Sequence, residues 1–250
     1  MKLRSISLLT SAAGLLACVA SPLAHAFTLT PMSLSLSPAG PEATQNFLVE
    51  NNTQETVLLD VSITSREMDE TGKESNRITP EIESNFLLYP PQMTLKPKEK
   101  RSIRVTWMGP LPPHEKAFRL VAEQLPLGTQ KKNSLKRGVH INILMRYQAA
   151  LYVTPDNAAP LVVLKSSSRT SGENPKLQLV LENSGSAHLL LKKLRVEVER
   201  DQVPPVKLEG KELDGILGQN ILAQSTRKFE ITWPKKLKPG SVKVKLEATE

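Results

Sequence analysis

Apolar residues in this chain recur at every second position in short runs, and no stretch shows the three-to-four-residue spacing of an amphipathic helix. Alternation sends successive side chains to opposite faces of a pleated strand, so a chain patterned this way must bury one face of each strand against a second sheet. The runs are rich in β-branched residues and are cut by Pro, Gly and Asn, which end strands and open turns. An all-β fold follows. In the first half the pattern predicts strands over residues 28–37, 44–50, 56–65, 85–89, 101–107, 118–124 and 139–153. Seven strands joined by turns suit a sandwich of two packed sheets. Residues 68–79 and 109–115 are polar or proline-rich and read as exposed loops.

The N-terminal segment has Lys2 and Arg4, an apolar run from Ile6 to Ala20, and then Ala24-His25-Ala26. That is the three-part pattern of a cleavable secretory signal, which places the mature start near Phe27. The apolar run is too short to span a bilayer, and no later stretch reaches about 20 apolar residues, so no membrane insertion is expected. Cys18 lies in a weak lipoprotein-like context, but Ala24-His25-Ala26 is the better processing site. Cleavage there removes the only cysteine, leaving a secreted protein without a disulfide. Losing Lys2 and Arg4 leaves 31 basic against 25 acidic residues, a formal charge of +6 by subtraction, spread along the chain. No stacking aromatics accompany the basic residues, so an acidic protein surface fits this charge better than nucleic acid does.

Some 224 mature residues exceed the usual size of one domain, which argues for two of roughly 110 residues each. The break falls at Thr154-Pro155-Asp156-Asn157-Ala158-Ala159-Pro160, where two prolines and small polar residues interrupt pairing. The expected division is a signal at 1–26, an immunoglobulin-like domain at 27–154 and a smaller β-sandwich at 155–250. Strands of the second half are expected over 161–165, 176–182, 189–199, 216–222, 228–233 and 242–248, with the seventh strand of a full sandwich expected to be missing.

One segment points toward function. Val139, Ile141, Ile143 and Met145 alternate with polar residues and share one strand face. Before them lies the basic, glycine-bounded stretch 128–138, much longer than an efficient hairpin needs. By pattern alone this is equally an ordinary core strand after a long loop.

The order of four motifs changes that balance. Asn85-Phe86-Leu87-Leu88-Tyr89-Pro90-Pro91-Gln92-Met93-Thr94-Leu95-Lys96-Pro97 precedes Arg101-Ser102-Ile103-Arg104-Val105-Thr106-Trp107. Phe118 to Pro126 and Arg146 to Pro155 follow. Together they resemble periplasmic pilus chaperones of the chaperone/usher pathway, a likeness running through essentially the whole mature chain. The resemblance implies two immunoglobulin-like sandwiches in the periplasm. It also implies donor-strand complementation, in which Val139, Ile141, Ile143 and Met145 enter the groove of a pilus subunit lacking its last strand. The subunit then passes to an outer-membrane usher. Added strands satisfy both an unpaired edge and an open apolar groove. Four such side chains would contribute roughly 1.5 to 3 kcal/mol each before ordering costs. The resemblance further implies a basic pair that anchors the subunit's terminal carboxylate, but the matching positions here hold Pro31 and Ala150. This departure is similar to the non-classical branches of the family. Candidate replacements are Arg119, Arg146 and Arg104, with the first two favoured because antiparallel pairing is expected to bring them close; the equal alternative for either is a sheet cap or an ordinary surface salt bridge.

An enzyme finds little support. His114, His140 and His188 are scattered, pairs such as Asp69-Glu70 are ordinary loop residues, and no phosphate-cradling glycine motif occurs, so no cofactor or metal is expected. The alternative is a structural or adhesive sandwich, a pilus subunit or glycan-binding module. A subunit would be one incomplete domain, and a glycan binder would show exposed aromatics, whereas only two Trp, three Tyr and five Phe are present. Self-association of the free chain through its apolar strand is left open.

Overall fold

A computed structural model describes residues 27–126, 143–200, 203–234, 237 and 242–249. The first eleven strands are β1 (Phe27–Thr30), β2 (Ser33–Leu36), β3 (Thr44–Asn51), β4 (Val57–Ser65), β5 (Glu67–Met68), β6 (Glu74–Ser75), β7 (Phe86–Tyr89), β8 (Gln92–Leu95), β9 (Lys100–Trp107), β10 (Lys116–Leu125) and β11 (Arg146–Val153). Nine of them form two sheets, ordered β1-β3-β9-β7 and β2-β11-β10-β4-β8. Their inward faces share a core that includes Phe27, Phe47, Leu59, Leu95, Ile103, Leu120 and Leu151. Phe86 sits edge-on to both Trp107 and Phe118, which fixes one end of this core.

Prolines explain two departures from the expected strands. Residues 28–37 form two strands, β1 on one sheet and β2 on the other, with Pro31 between them. The double proline after Tyr89 repeats the device: β7 pairs with β9, and β8 crosses to pair with β4. A residue without an amide hydrogen cannot continue a ladder, so the strand leaves one sheet there and joins the other. The expected loop at 68–79 also holds structure. β5 and β6 pair as a hairpin, closed by Asp69, whose carboxylate accepts from the Thr71 and Lys73 amides and the Thr71 hydroxyl. One short helix follows, α1 (Pro80–Asn85), with Thr79 Oγ1 accepting from the Ile82 amide.

The second half contains β12 (Val162–Arg169), β13 (Lys176–Asn183), β14 (Leu189–Leu190), β15 (Lys193–Arg200), β16 (Val203–Leu208), β17 (Asn220–Ile221), β18 (Ser225–Thr232) and β19 (Lys243–Thr249). Sheets β12-β13-β18 and β16-β15-β19 enclose a separate core that includes Leu177, Leu179, Leu181, Val198 and Phe229. The strand missing from the sequence pattern is β16. It carries Pro204 and Pro205, which read as a turn but are tolerated on the edge position it occupies. Most of residues 216–222, expected as a strand, lie outside β17.

The two sandwiches repeat one polar device. Asn51, at the end of β3, donates to the Glu55, Leu95 and Lys96 carbonyls and accepts from the Thr53 amide and hydroxyl. Asn183, at the end of β13, donates to the Ala187, Ile221 and Leu222 carbonyls and accepts from the Leu161 and Gly185 amides. Both side chains are fully buried, and each ties a strand end to the neighbouring loops. Gly185 has no substitute, because a Cβ there would lie 2.3 Å from the Leu161 nitrogen.

Candidate functional site

β11 is paired along only part of its length. On one side it runs antiparallel to β10, from Lys116 opposite Val153 to Glu123 opposite Arg146, and the Gln124 amide extends the ladder to the Met145 carbonyl at 2.9 Å. On the other side β2 pairs in parallel with Ala150 to Val153 alone, while the Ala150 amide donates to the Met32 carbonyl. From Leu144 to Gln148, therefore, alternate backbone groups face a side where no strand is present among the described residues. This is an open sheet edge of the kind that invites another strand.

The side chains on this segment have the matching polarity. Ala149, Leu151 and Val153 point into the core, and Met145 and Tyr147 pack against it. Ile143, two residues before Met145 in the sequence and outside the strand, is 67% exposed. Of the four residues expected on the apolar face, Ile143 and Met145 are thus placed, and Val139 and Ile141 lie outside the described residues. The long stretch 128–138 does so as well. Within the described part of the expected strand over 139–153, the regular strand begins at Arg146, and Ile143 to Met145 lie before it.

The three candidate arginines are in different settings. Arg119 lies on the outer face of β10, opposite Ala150 on one side and Thr64 on the other. Its Nε and Nη2 donate to the two oxygens of Glu74 at 3.0 and 2.6 Å. Its Nη1 reaches the Gln148 carbonyl on β11 at 3.4 Å. Arg146 is half exposed and makes one loose cross-strand contact, 3.5 Å to Glu123. The register corrects the expectation that these two meet. Arg146 faces Glu123, four positions along β10 from Arg119, a backbone separation of about 13 Å. Arg104 is exposed on the outer face of the other sheet, between Asn46 and Tyr89.

A residue the sequence reading passed over joins Arg119. Arg66 donates from Nε to Glu74 at 2.9 Å and from Nη1 to the Tyr152 hydroxyl at 2.6 Å. Burial works against charge on Glu74, but hydrogen bonds from Arg119 and the charge and hydrogen bonds of Arg66 prevail, holding its carboxyl below the ordinary range. Two guanidiniums and one carboxylate leave the cluster with a surplus positive charge beside Ala150. No local motif marks Arg66, because its role depends on a hairpin that folds Glu74 back over β4 and β10.

The cluster borders the second sandwich. The Tyr152 hydroxyl also accepts from Asn220, and its ring stacks on His188 at 4.0 Å. Burial is the main cause that pushes the Tyr152 phenol up. Glu115, nearly buried, receives the His188 amide at 3.1 Å and the Thr154 hydroxyl at 2.9 Å, and lies 2.7 Å from His188 Nδ1. His188 thus serves a polar contact between sandwiches, and no grouping of three or more metal-ligating side chains occurs among the described residues. No described helix is long and apolar enough to cross a membrane.

Comparison with known proteins gives one family. Residues 29–159 match the pili and flagellar-assembly chaperone family, PapD N-terminal domain. No curated protein matches the sequence. Among solved structures, one described as a chaperone–tip adhesin complex vital for activation of CFA/I fimbriae biogenesis aligns at 15% identity. It has a TM-score of 0.56, over 88% of this chain and 98% of that one. The Class 5 fimbriae chaperone CfaA aligns at 15% identity and TM-score 0.53, over 90% and 100%. The CsuC-CsuE chaperone–tip subunit pre-assembly complex of archaic Csu pili from Acinetobacter baumannii aligns at 19% identity and TM-score 0.54, over 84% and 89%.

Proposed function

This chain belongs to the family of pili and flagellar-assembly chaperones, and on that premise we propose that it folds and stabilises pilus subunits in the periplasm and delivers them to an outer-membrane usher. The observation that carries the reading is the open edge at the start of β11, from Leu144 to Gln148, next to the exposed apolar side chain of Ile143. A subunit lacking its last strand exposes a groove and unpaired backbone groups, and this segment offers the complement to both. The sequence pattern adds Val139 and Ile141 to the proposed donor residues. The reading includes a processed signal at 1–26, the division of the mature chain at 154–155, and action without catalysis. The adhesive alternative yields to the family membership.

The subunit's terminal carboxylate is assigned to Arg119, supported by Arg66, because Arg119 alone of the three candidates reaches both the open-edge strand and the surplus charge beside Ala150. Arg146, at the exposed end of β11, steers and does not anchor. Co-expression with pilus subunits in a periplasm, followed by co-purification, tests the function. A stable complex that is lost on Ile143→Asp supports it, and failure of every subunit to accumulate or co-purify overturns it.

A further inference from the structure

The carboxylate site is already filled. Glu74 receives both guanidiniums, with Arg119 bridging its two oxygens and Arg66 Nε and Nη2 at 2.9 and 2.8 Å from one of them. This is how a carboxylate ligand would be held. Directly opposite Arg119 on β4, the Thr64 hydroxyl is buried and has no hydrogen-bond partner. A buried hydroxyl without a partner is costly, and a second carboxylate arriving at Arg119 would supply its acceptor.

The hairpin that delivers Glu74 is held at its other end by the second sandwich. The Lys228 amide donates to the Glu70 carbonyl at 2.6 Å. Arg227, buried, donates from Nη1 to Met68 Sδ and to the Asn220 carbonyl, each at 2.7 Å. Its guanidinium lies against Gly72, where an added Cβ would approach Nη2 to 2.2 Å. Gly72 also has φ +91°, so the turn requires glycine on two counts. One nine-residue element thus joins Arg66 and Arg119 of the first sandwich to Arg227 and Lys228 of the second.

We propose that Glu74 is an internal stand-in for the subunit's terminal carboxylate, and that capture displaces it from Arg119 and releases the β5–β6 hairpin from the second sandwich. This rests on the assignment of Arg119 as the anchor. Its consequence is a specificity gate: only a ligand carrying a carboxylate competes with Glu74, so apolar strands without that end leave the hairpin shut. Displacement also links anchor occupancy to the contact between sandwiches, because one hairpin serves both.

The test uses the C-terminal peptide of a subunit that the full mature chain captures, synthesised as the free acid and as the amide. Binding is measured to the wild type and to Glu74→Gln, and hydrogen exchange at the Lys228 amide is followed with and without peptide. The acid is expected to bind the wild type more tightly than the amide does. Glu74→Gln is expected to tighten acid binding about tenfold without changing amide binding. Lys228 exchange in the wild type is expected to accelerate when the acid binds and to stay unchanged with the amide. If the wild type prefers the acid but Glu74→Gln does not, or if Lys228 protection ignores the peptide, the stand-in is overturned while the anchor survives. Equal binding of acid and amide to the wild type overturns the anchor itself, and this inference with it. The exchange measurement on the wild type decides the matter even if Glu74→Gln does not fold.

Discussion

Replacing Glu115 by Ala should weaken the coupling between the two sandwiches. Its side chain is 2% exposed and serves the His188 amide, the His188 ring and the Thr154 hydroxyl at once. Each donor left unsatisfied away from water costs about 1 to 3 kcal/mol. The Glu115 backbone amide still donates to the Ser186 carbonyl, so contact is weakened and not abolished. Fluorescence can separate the two halves, because Trp107 lies in the first core and Trp233 in the second. Single-tryptophan variants, Trp107→Phe and Trp233→Phe, each report one transition in guanidinium. In the Glu115→Ala background the two midpoints should separate, with a loss close to 3 kcal/mol. Glu115→Gln, which keeps an acceptor of the same shape, should lose about half as much. Coincident transitions with a loss below about 0.5 kcal/mol would refute the role given to this buried carboxylate.

Other consequences can be checked in parallel. Asn51→Ala and Asn183→Ala should each cost about 2 to 4 kcal/mol in denaturant melts, since several buried backbone groups lose their partner together, and each loss should fall on its own sandwich. Arg119→Ala should weaken subunit capture by about 1.5 to 3 kcal/mol in competition binding, whereas Arg104→Ala should leave capture unchanged. Glu74 has its carboxyl held below the ordinary value of 4.5, so the stability it adds is fully present above that value and is lost as pH falls through the depressed one. The melting difference between wild type and Glu74→Gln should therefore be constant from neutral pH down to the ordinary carboxylate range and vanish only in stronger acid.

The sheet architecture was legible because alternation is a local property: Leu177, Leu179 and Leu181 announce a buried face without reference to any partner. Prolines were legible only as interruptions. Whether Pro31 and Pro90 end a strand or pass it to the opposite sheet depends on which neighbours wait there, and Pro204 and Pro205 are compatible with a strand only because β16 is an edge. The Glu-Asn pairs at 50–51 and 182–183 were visible as a repeat at matching strand ends and were not read as one. Arg66 could not be found from spacing, since its partners Glu74, Tyr152 and, through Tyr152, Asn220 converge from three separate elements. Arg119 was singled out on the expectation that strand pairing would bring it to Arg146; it adjoins β11 beside Ala150 instead.

The central claim is that the segment ending in Ile143 and Met145 is lent to a subunit. Ile143 is 67% exposed in the free chain, so a charge there does not disturb the chaperone's own core. Burying that charge without a counter-ion in an apolar groove is costly. The direct measurement is the yield of subunit recovered from the periplasm with wild type and with Ile143→Asp, alongside secretion yield and circular dichroism of each. Equal secretion and identical spectra are expected, with subunit recovered by the wild type and lost from the variant. Equal recovery of subunit by both proteins would show that this strand is not the donor.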